Sequence, residues 1–305
     1  MQKITSKRLV YKLVALFAVI RGYNVGMLVL AMYITAYFIF SHEMSLFHFL
    51  ENLELHIIIL ASAFTVSGGY IINNFYDLDK DTISRPLITY VSRFISQNLK
   101  LWVYISFSLI SVALAFMASW RVGIFFIAYN FLVWFYSHKI SKITFINNLF
   151  YVVLSLMPFL ALLLYYNNYS LIIFMHGIYL SLLLLSIDLI KDLTTYKADL
   201  IYNYKTLPVA FGIKYAKIIL TLCLALNCGW AIYMSTLEEI GHMSIYFKGV
   251  SIILILIIIL LWVLKEKWKI NLLYLLLKVI LGVGVLSIAW IKINPLALQR
   301  LLPIN

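Results

Sequence analysis

Apolar and polar positions alternate along this chain on a scale of about twenty residues. Runs such as 171–185 and 250–264 are apolar on every side of a helix and leave no polar stripe for water. A helix that crosses a bilayer needs roughly 20 mostly apolar residues. By that measure nine spans are predicted, at 11–40, 53–75, 99–119, 122–137, 146–166, 170–190, 213–235, 245–264 and 271–291. The third and fourth are separated only by the step Ser119, Trp120, Arg121. Alternation of period two with polar partners is missing, so transmembrane strands are not predicted. The pattern predicts an all-α polytopic membrane protein, a bundle of nine transmembrane helices, with residues 1–305 as one domain.

Composition agrees with that pattern. The chain is 64% hydrophobic and 12% charged, with a mean hydropathy of +0.98, against roughly half apolar in soluble domains. Its net charge of +12 follows from topology. Eighteen basic residues fall in the N-terminal arm and the loops after spans two, four, six and eight. Four, Arg121, Lys248, Lys292 and Arg300, fall on the other side, and Arg21 and Lys278 lie within spans. The positive-inside rule places the first set in the cytoplasm. No nucleic-acid partner is implied. Glu43, Glu51, Glu54, Glu238 and Glu239 lie in or beside outer loops. The basic arm resembles a signal peptide, but Arg21 interrupts the apolar run and no small-residue cleavage pattern follows. Span one is therefore expected to be retained. Cys223 and Cys228 share one span and predict no disulfide.

All six aspartates fall in two clusters where an apolar run meets a cytoplasmic loop. Asp77, Asp79 and Asp81 follow span two; Asp188, Asp192 and Asp199 follow span six. Carboxylates are expensive near lipid, about 2.5–3.5 kcal/mol each at a helix centre, so their collection at two sites points to use. If the helices continue, Asn73, Asp77 and Asp81 share one face, as do Asp188, Asp192, Thr195 and Asp199. Stacked carboxylates need counter-charge. Mg²⁺ bound by one or two of them together with phosphate oxygens supplies it. The two loops, 77–98 and 191–212, share a layout in which acids are followed by a basic residue near a proline, which hints at two related halves.

The stretch N-N-F-Y-D-L-D-K-D over 73–81, followed by Arg85 and Pro86, resembles the first signature of the UbiA superfamily of intramembrane prenyltransferases, N-D-x-x-D-x-x-x-D. K-D-L-T-T-Y-K-A-D over 191–199 resembles the second, K-D-x-x-D-x-x-G-D, and Lys205, Thr206, Leu207, Pro208 with Phe211, Gly212 its trailing K-T-L-P and W/F-G. Arg21 and Asn24 are similar to an R-x-x-N element. Tyr136, Ser137 and Lys142 are similar to the family's step after span four. Asn74, Thr195 and Ala198 depart from the pattern, the first two where it has Asp. Asp79 and Asp188 are extra acids nearby.

The resemblance implies a prenyl diphosphate substrate, with Mg²⁺ as cofactor. Asp77, Asp81, Asp192 and Asp199 would be the catalytic carboxylates, and with Asn73 and Asn74 they would hold the metal. Arg21, Asn24, Arg85, Tyr136, Lys142, Lys191 and Lys205 would bind substrate, and Tyr70, Phe75, Tyr76 and Tyr136 would face the allylic cation. The acceptor would be a lipid-type or an aromatic molecule. The motifs are nearest to members that act on geranylgeranylglycerol phosphate. A terpene cyclase that uses no acceptor, a catalytically degenerate relative and a cation transporter are the alternatives. Restoring acid at positions 74 and 195 is expected to raise activity or lower the Mg²⁺ requirement.

Overall fold

The computed structural model describes residues 2–41, 45–264 and 266–291. Glu43, Lys265, Lys292 and Arg300, and the side chains of Lys3, Lys7 and Arg8, lie outside the described residues. Every regular element described is helical. In chain order these are α1 (Gln2–Val19), α2 (Gly22–Thr35) continued by a π-helical turn (Ala36–Phe40), α3 (Leu46–Glu51), α4 (Leu53–Tyr76), α5 (Leu78–Ser84), α6 (Pro86–Ser92) and α7 (Gln97–Ala118). Then come α8 (Trp120–His138), α9 (Ile146–Tyr166), α10 (Leu171–Ile201), α11 (Leu207–Phe211), α12 (Ile213–Ser235), α13 (Ser244–Val263) and α14 (Lys267–Ser287).

Among the described residues eight helices are long and apolar enough to cross a membrane, against the nine expected. The difference lies in α8. It has 19 residues, but Trp120, Tyr129, Asn130, Trp134, Tyr136 and His138 dilute its aliphatic content. A second correction concerns the run 11–40. Arg21, with φ of 50°, turns the chain in the left-handed region and divides the run into α1 and α2. Gly22 makes room for the turn, since a Cβ there would lie 2.1 Å from the Phe17 ring. The split between α7 and α8 falls where the sequence places it. Ser119 is extended, and its hydroxyl caps α8 by accepting from the Val122 N–H.

The chain divides into two compact units. The first comprises 1–30, 54–143 and 197–204; the second comprises 31–53, 144–196 and 205–305. In the first, Ala15 and Val19 of α1 pack with Ile71 of α4 and with Ile95, and Val91, Val103 and Phe107 close around them. Deeper in the unit, Thr65 of α4 and Ser111 of α7 share a 2.5 Å hydrogen bond. The Asn130 amide of α8 donates to both hydroxyls and to the Phe126 carbonyl. Such contacts tie spanning helices together where apolar packing against lipid gives no preference.

In the second unit α12 packs on α13, and α13 on α14. The Tyr179 and Tyr246 hydroxyls meet at 2.7 Å, and Tyr246 donates onward to the Ile280 carbonyl. Trp230 ties α12 to α10 through the Met175 carbonyl. Cys223 and Cys228 are buried and free, as expected. At roughly 1.5 Å per residue the 31 residues of α10 rise about 46 Å, beyond a hydrocarbon core of about 30 Å. The excess length carries the second acidic motif on helix rather than loop.

Candidate functional site

In the first unit the chain passes from α4 to α5 through Asp77, whose φ of −97° and ψ of 11° bend the helix without breaking its hydrogen bonds. The Asp77 N–H still reaches the Asn73 carbonyl, and the Asp81 N–H reaches that of Asp77. The expected face therefore forms. The Asn73 amide donates to Asp77 Oδ2 at 2.8 Å, and the Tyr204 hydroxyl donates to Asp77 Oδ1 at 2.6 Å. Asp81 is buried and accepts from the Ser84 hydroxyl. Burial, and then the charge of Asp77, push the Asp81 carboxyl above the usual carboxylate range, while Ser84, Arg21 and Lys80 pull it back. Asp79 is exposed.

Asp199, the last acid of the second motif, belongs to this unit and is fully buried. Lys80 of the first motif lies 2.7 Å from its Oδ1. The two motifs are thus joined by an ion pair. Lys80 Nζ also lies 4.1 Å from the centre of the Tyr204 ring, and Lys142 Nζ 5.4 Å from it. Burial, together with the charges of Asp77, Asp81 and Asp199, raises the Tyr204 phenol well above its ordinary value, so it remains a donor. Arg21 sits over the Tyr70 ring at 4.8 Å, and Asn24 is one turn further on, with its N–H on the Arg21 carbonyl. Tyr136 and Arg85 are half-buried in the same unit.

Asn74 is engaged otherwise than expected. Its Oδ1 accepts from Lys100 Nζ at 2.9 Å, and Lys100, on α7, is 1% exposed. The amide oxygen that would have faced a metal faces a buried ammonium.

In the second unit, α10 presents Asp188 and Asp192, both buried. The Asn148 amide of α9 bridges them, with Nδ2 2.9 Å from Asp188 Oδ2 and from Asp192 Oδ2. Lys191 pairs with the other oxygen of Asp188. Thr195 turns its hydroxyl back to the Lys191 carbonyl, and Lys205 is exposed. Lys100, Asn148 and Tyr204 are residues whose roles the sequence motifs missed, and for the last two a signal was there to read. The signals present were a polar Asn pair opening an apolar run at 147–148, and an Asn at 203 able to end a helix.

Around Asp77, Asp81 and Asp199 the donors are hard oxygens, and among the described residues no group of three His, Cys, Asp or Glu side chains is placed to hold a metal ion by itself. Mg²⁺ suits such an open set, since it takes one or two carboxylates and completes its shell with water and phosphate oxygens. In the first unit these acids are Asp77, Asp81 and Asp199, and in the second Asp188 and Asp192.

Helices long and apolar enough to cross a membrane, with acids and lysines gathered at their ends, define the class: an all-helical polytopic membrane protein. The chain belongs to the UbiA prenyltransferase family, whose model matches residues 28–277. It is 28% identical over 179 residues to the digeranylgeranylglyceryl phosphate synthase of Saccharolobus solfataricus, covering 55% of this chain and 64% of that protein. With the synthase of the same name from Methanosphaera stadtmanae it shares 26% identity over 208 residues, 68% of this chain and 72% of the other. The chain thus spans about two thirds of the length of these relatives. Among solved structures, one of digeranylgeranylglyceryl phosphate synthase in membranes superposes with a TM-score of 0.69 at 18% identity, covering 92% of this chain and 99% of that one. A UbiA homologue from Archaeoglobus fulgidus bound to GPP and Mg²⁺ gives 0.65 at 16% identity, covering 90% and 99%. At these identities the likeness establishes the fold.

Proposed function

We propose that this chain is an intramembrane prenyltransferase that ionises a prenyl diphosphate and passes the prenyl group to a lipid-type acceptor of the geranylgeranylglycerol phosphate kind. The observation that carries it is the joining of the two family motifs through Lys80 and Asp199, with Asp77 and Asp81 in the same unit. Support for the acceptor comes from the names of the two relatives and the trailing Lys205, Thr206, Leu207, Pro208 element. An aromatic acceptor is the second choice.

In this proposal Asp77, Asp81, Asp192 and Asp199 would hold Mg²⁺, which would supply charge neutralisation for a departing diphosphate. The chain's own residues do the rest. Lys80, Lys142, Lys191, Arg85 and Lys205 offer cations to the headgroup, and Arg21 and Asn24 offer polar contacts at the break between α1 and α2. Tyr70, Tyr76 and Tyr136 offer ring faces that stabilise an allylic cation without attacking it. The acidic motifs face the cytoplasm in this proposal, as the loop charges require.

The test is to incubate purified protein with geranylgeranyl diphosphate, Mg²⁺ and geranylgeranylglycerol phosphate, and to follow diphosphate release and products. Diphosphate together with a doubly prenylated lipid is the expected result. Hydrocarbon formed without acceptor would instead identify a terpene cyclase. One specific observation favours a degenerate relative: Asn74 and Thr195, where the signatures have Asp, are both occupied within the protein. Absence of diphosphate release with every donor from C10 to C20 would select that reading.

A further inference from the structure

Tyr204 lies outside every motif quoted above, yet it touches three charged groups of the site. We propose that Tyr204 is a positioning residue of the diphosphate site: its hydroxyl sets the Asp77 carboxylate for the metal, and its ring seats Lys80 and Lys142 for the headgroup. This rests on the prenyl diphosphate function proposed above.

The placement starts in the backbone. α10 ends at Ile201, and Asn203, with φ of 56°, takes the left-handed conformation. The Tyr204 N–H then returns to the Asp199 carbonyl at 2.9 Å. A left-handed residue followed by an N–H that reaches back five residues is the Schellman ending of a helix, and Asn is the usual residue there after Gly. This turn brings the Tyr204 ring back beside Asp199 and buries it to 5% exposure.

Asp77 is consequently held from two sides, at Oδ1 by Tyr204 and at Oδ2 by Asn73. Each carboxylate oxygen has two acceptor positions. Both oxygens therefore keep one for a cation while the group is fixed in orientation. Loss of such outer donors typically lowers metal affinity 10–100-fold. The ring serves a second purpose. Two ammonium groups near one another repel, and the negative face of a phenol ring draws both toward it. Lys80 and Lys142 lie 4.1 and 5.4 Å from its centre.

Phenol and ring are separable by substitution. Tyr204→Phe removes the hydroxyl alone, and Tyr204→Leu removes the ring as well. Purified full-length protein is titrated with inorganic pyrophosphate by calorimetry, first in EDTA and then across a Mg²⁺ series, and thermal stability is followed in parallel. Tyr204→Phe is expected to bind pyrophosphate in EDTA within twofold of wild type and to need about tenfold more Mg²⁺ for half-maximal stabilisation. Tyr204→Leu is expected to lose about tenfold in metal-free pyrophosphate affinity as well. A residue that only ends α10 would lower stability without separating these two readouts. Wild-type Mg²⁺ dependence in the Phe variant overturns the proposal, and it decides alone should the Leu variant not fold. If wild type itself binds no pyrophosphate at any Mg²⁺ concentration, the diphosphate function fails and Tyr204 with it. If wild type binds and both variants match it, only the role of Tyr204 fails.

Discussion

Placing an acid at position 74 tests whether Lys100 or the metal owns that side chain. The family signature has Asp there, and from sequence the substitution Asn74→Asp is expected to strengthen metal binding. The structure reverses the expectation. Lys100 Nζ lies 2.9 Å from Asn74 Oδ1 and is 1% exposed. At that distance two unit charges attract by about 6 kcal/mol at an effective dielectric near 20. Removing the new carboxylate from water costs several kcal/mol, so the pair comes out near balance and its negative charge is absorbed by the ammonium. A tenfold change in Mg²⁺ requirement takes about 1.4 kcal/mol of surplus, which this pair does not leave. The expected outcome is a half-saturating Mg²⁺ concentration within about twofold of wild type for Asn74→Asp. When Lys100→Met is added, the carboxylate is freed and the requirement falls. Diphosphate release measured across a Mg²⁺ series reads both. A tenfold fall in the single variant would refute the reasoning, because it would mean that residue 74 meets the ion despite Lys100.

Other outcomes follow from the same geometry. Asp77→Ala and Asp192→Ala are expected to reduce diphosphate release below about 1% of wild type while the protein still inserts, checked by turnover beside size-exclusion profiles. Asn148→Leu removes the donor shared by two buried carboxylates and is expected to destabilise by about 3 kcal/mol, read as a lowered thermal midpoint. Asn130→Val opens the Thr65 and Ser111 network and is expected to destabilise by about 1–2 kcal/mol with Mg²⁺ dependence unchanged. Asn203→Val places a branched side chain in the left-handed region and is expected to cost about 1–2 kcal/mol, whereas Asn203→Gly is expected to be neutral.

The spans were legible because twenty-residue apolar runs have few alternatives in lipid, and Ser119 announced its turn by being a capping residue between two of them. The break at Arg21 was not, since a non-glycine residue with positive φ leaves no periodic trace and the run continues apolar on both sides. The aspartates were legible through their segregation, and the faces of Asn73, Asp77 and Asp81 followed from helical spacing. Lys100 was counted only as a loop charge, because a sequence does not say that a lysine at a helix start will turn inward to an amide on another helix. Tyr204 and Asn148 escaped for the same reason. Their roles depend on contacts made across 127 and 40 residues of chain, respectively.

Asp77 is also the joint between α4 and α5. The residue that bends the helix is the one whose side chain is tethered at both oxygens. Any flexing at this point swings Lys80 and Asp81 together and, at the same time, pulls on Asn73 and Tyr204. An occupied carboxylate would therefore stiffen the rim of the protein mechanically, and an empty one would leave it free to nod. Under the proposed function, headgroup capture and rim rigidity would be coupled through a single residue.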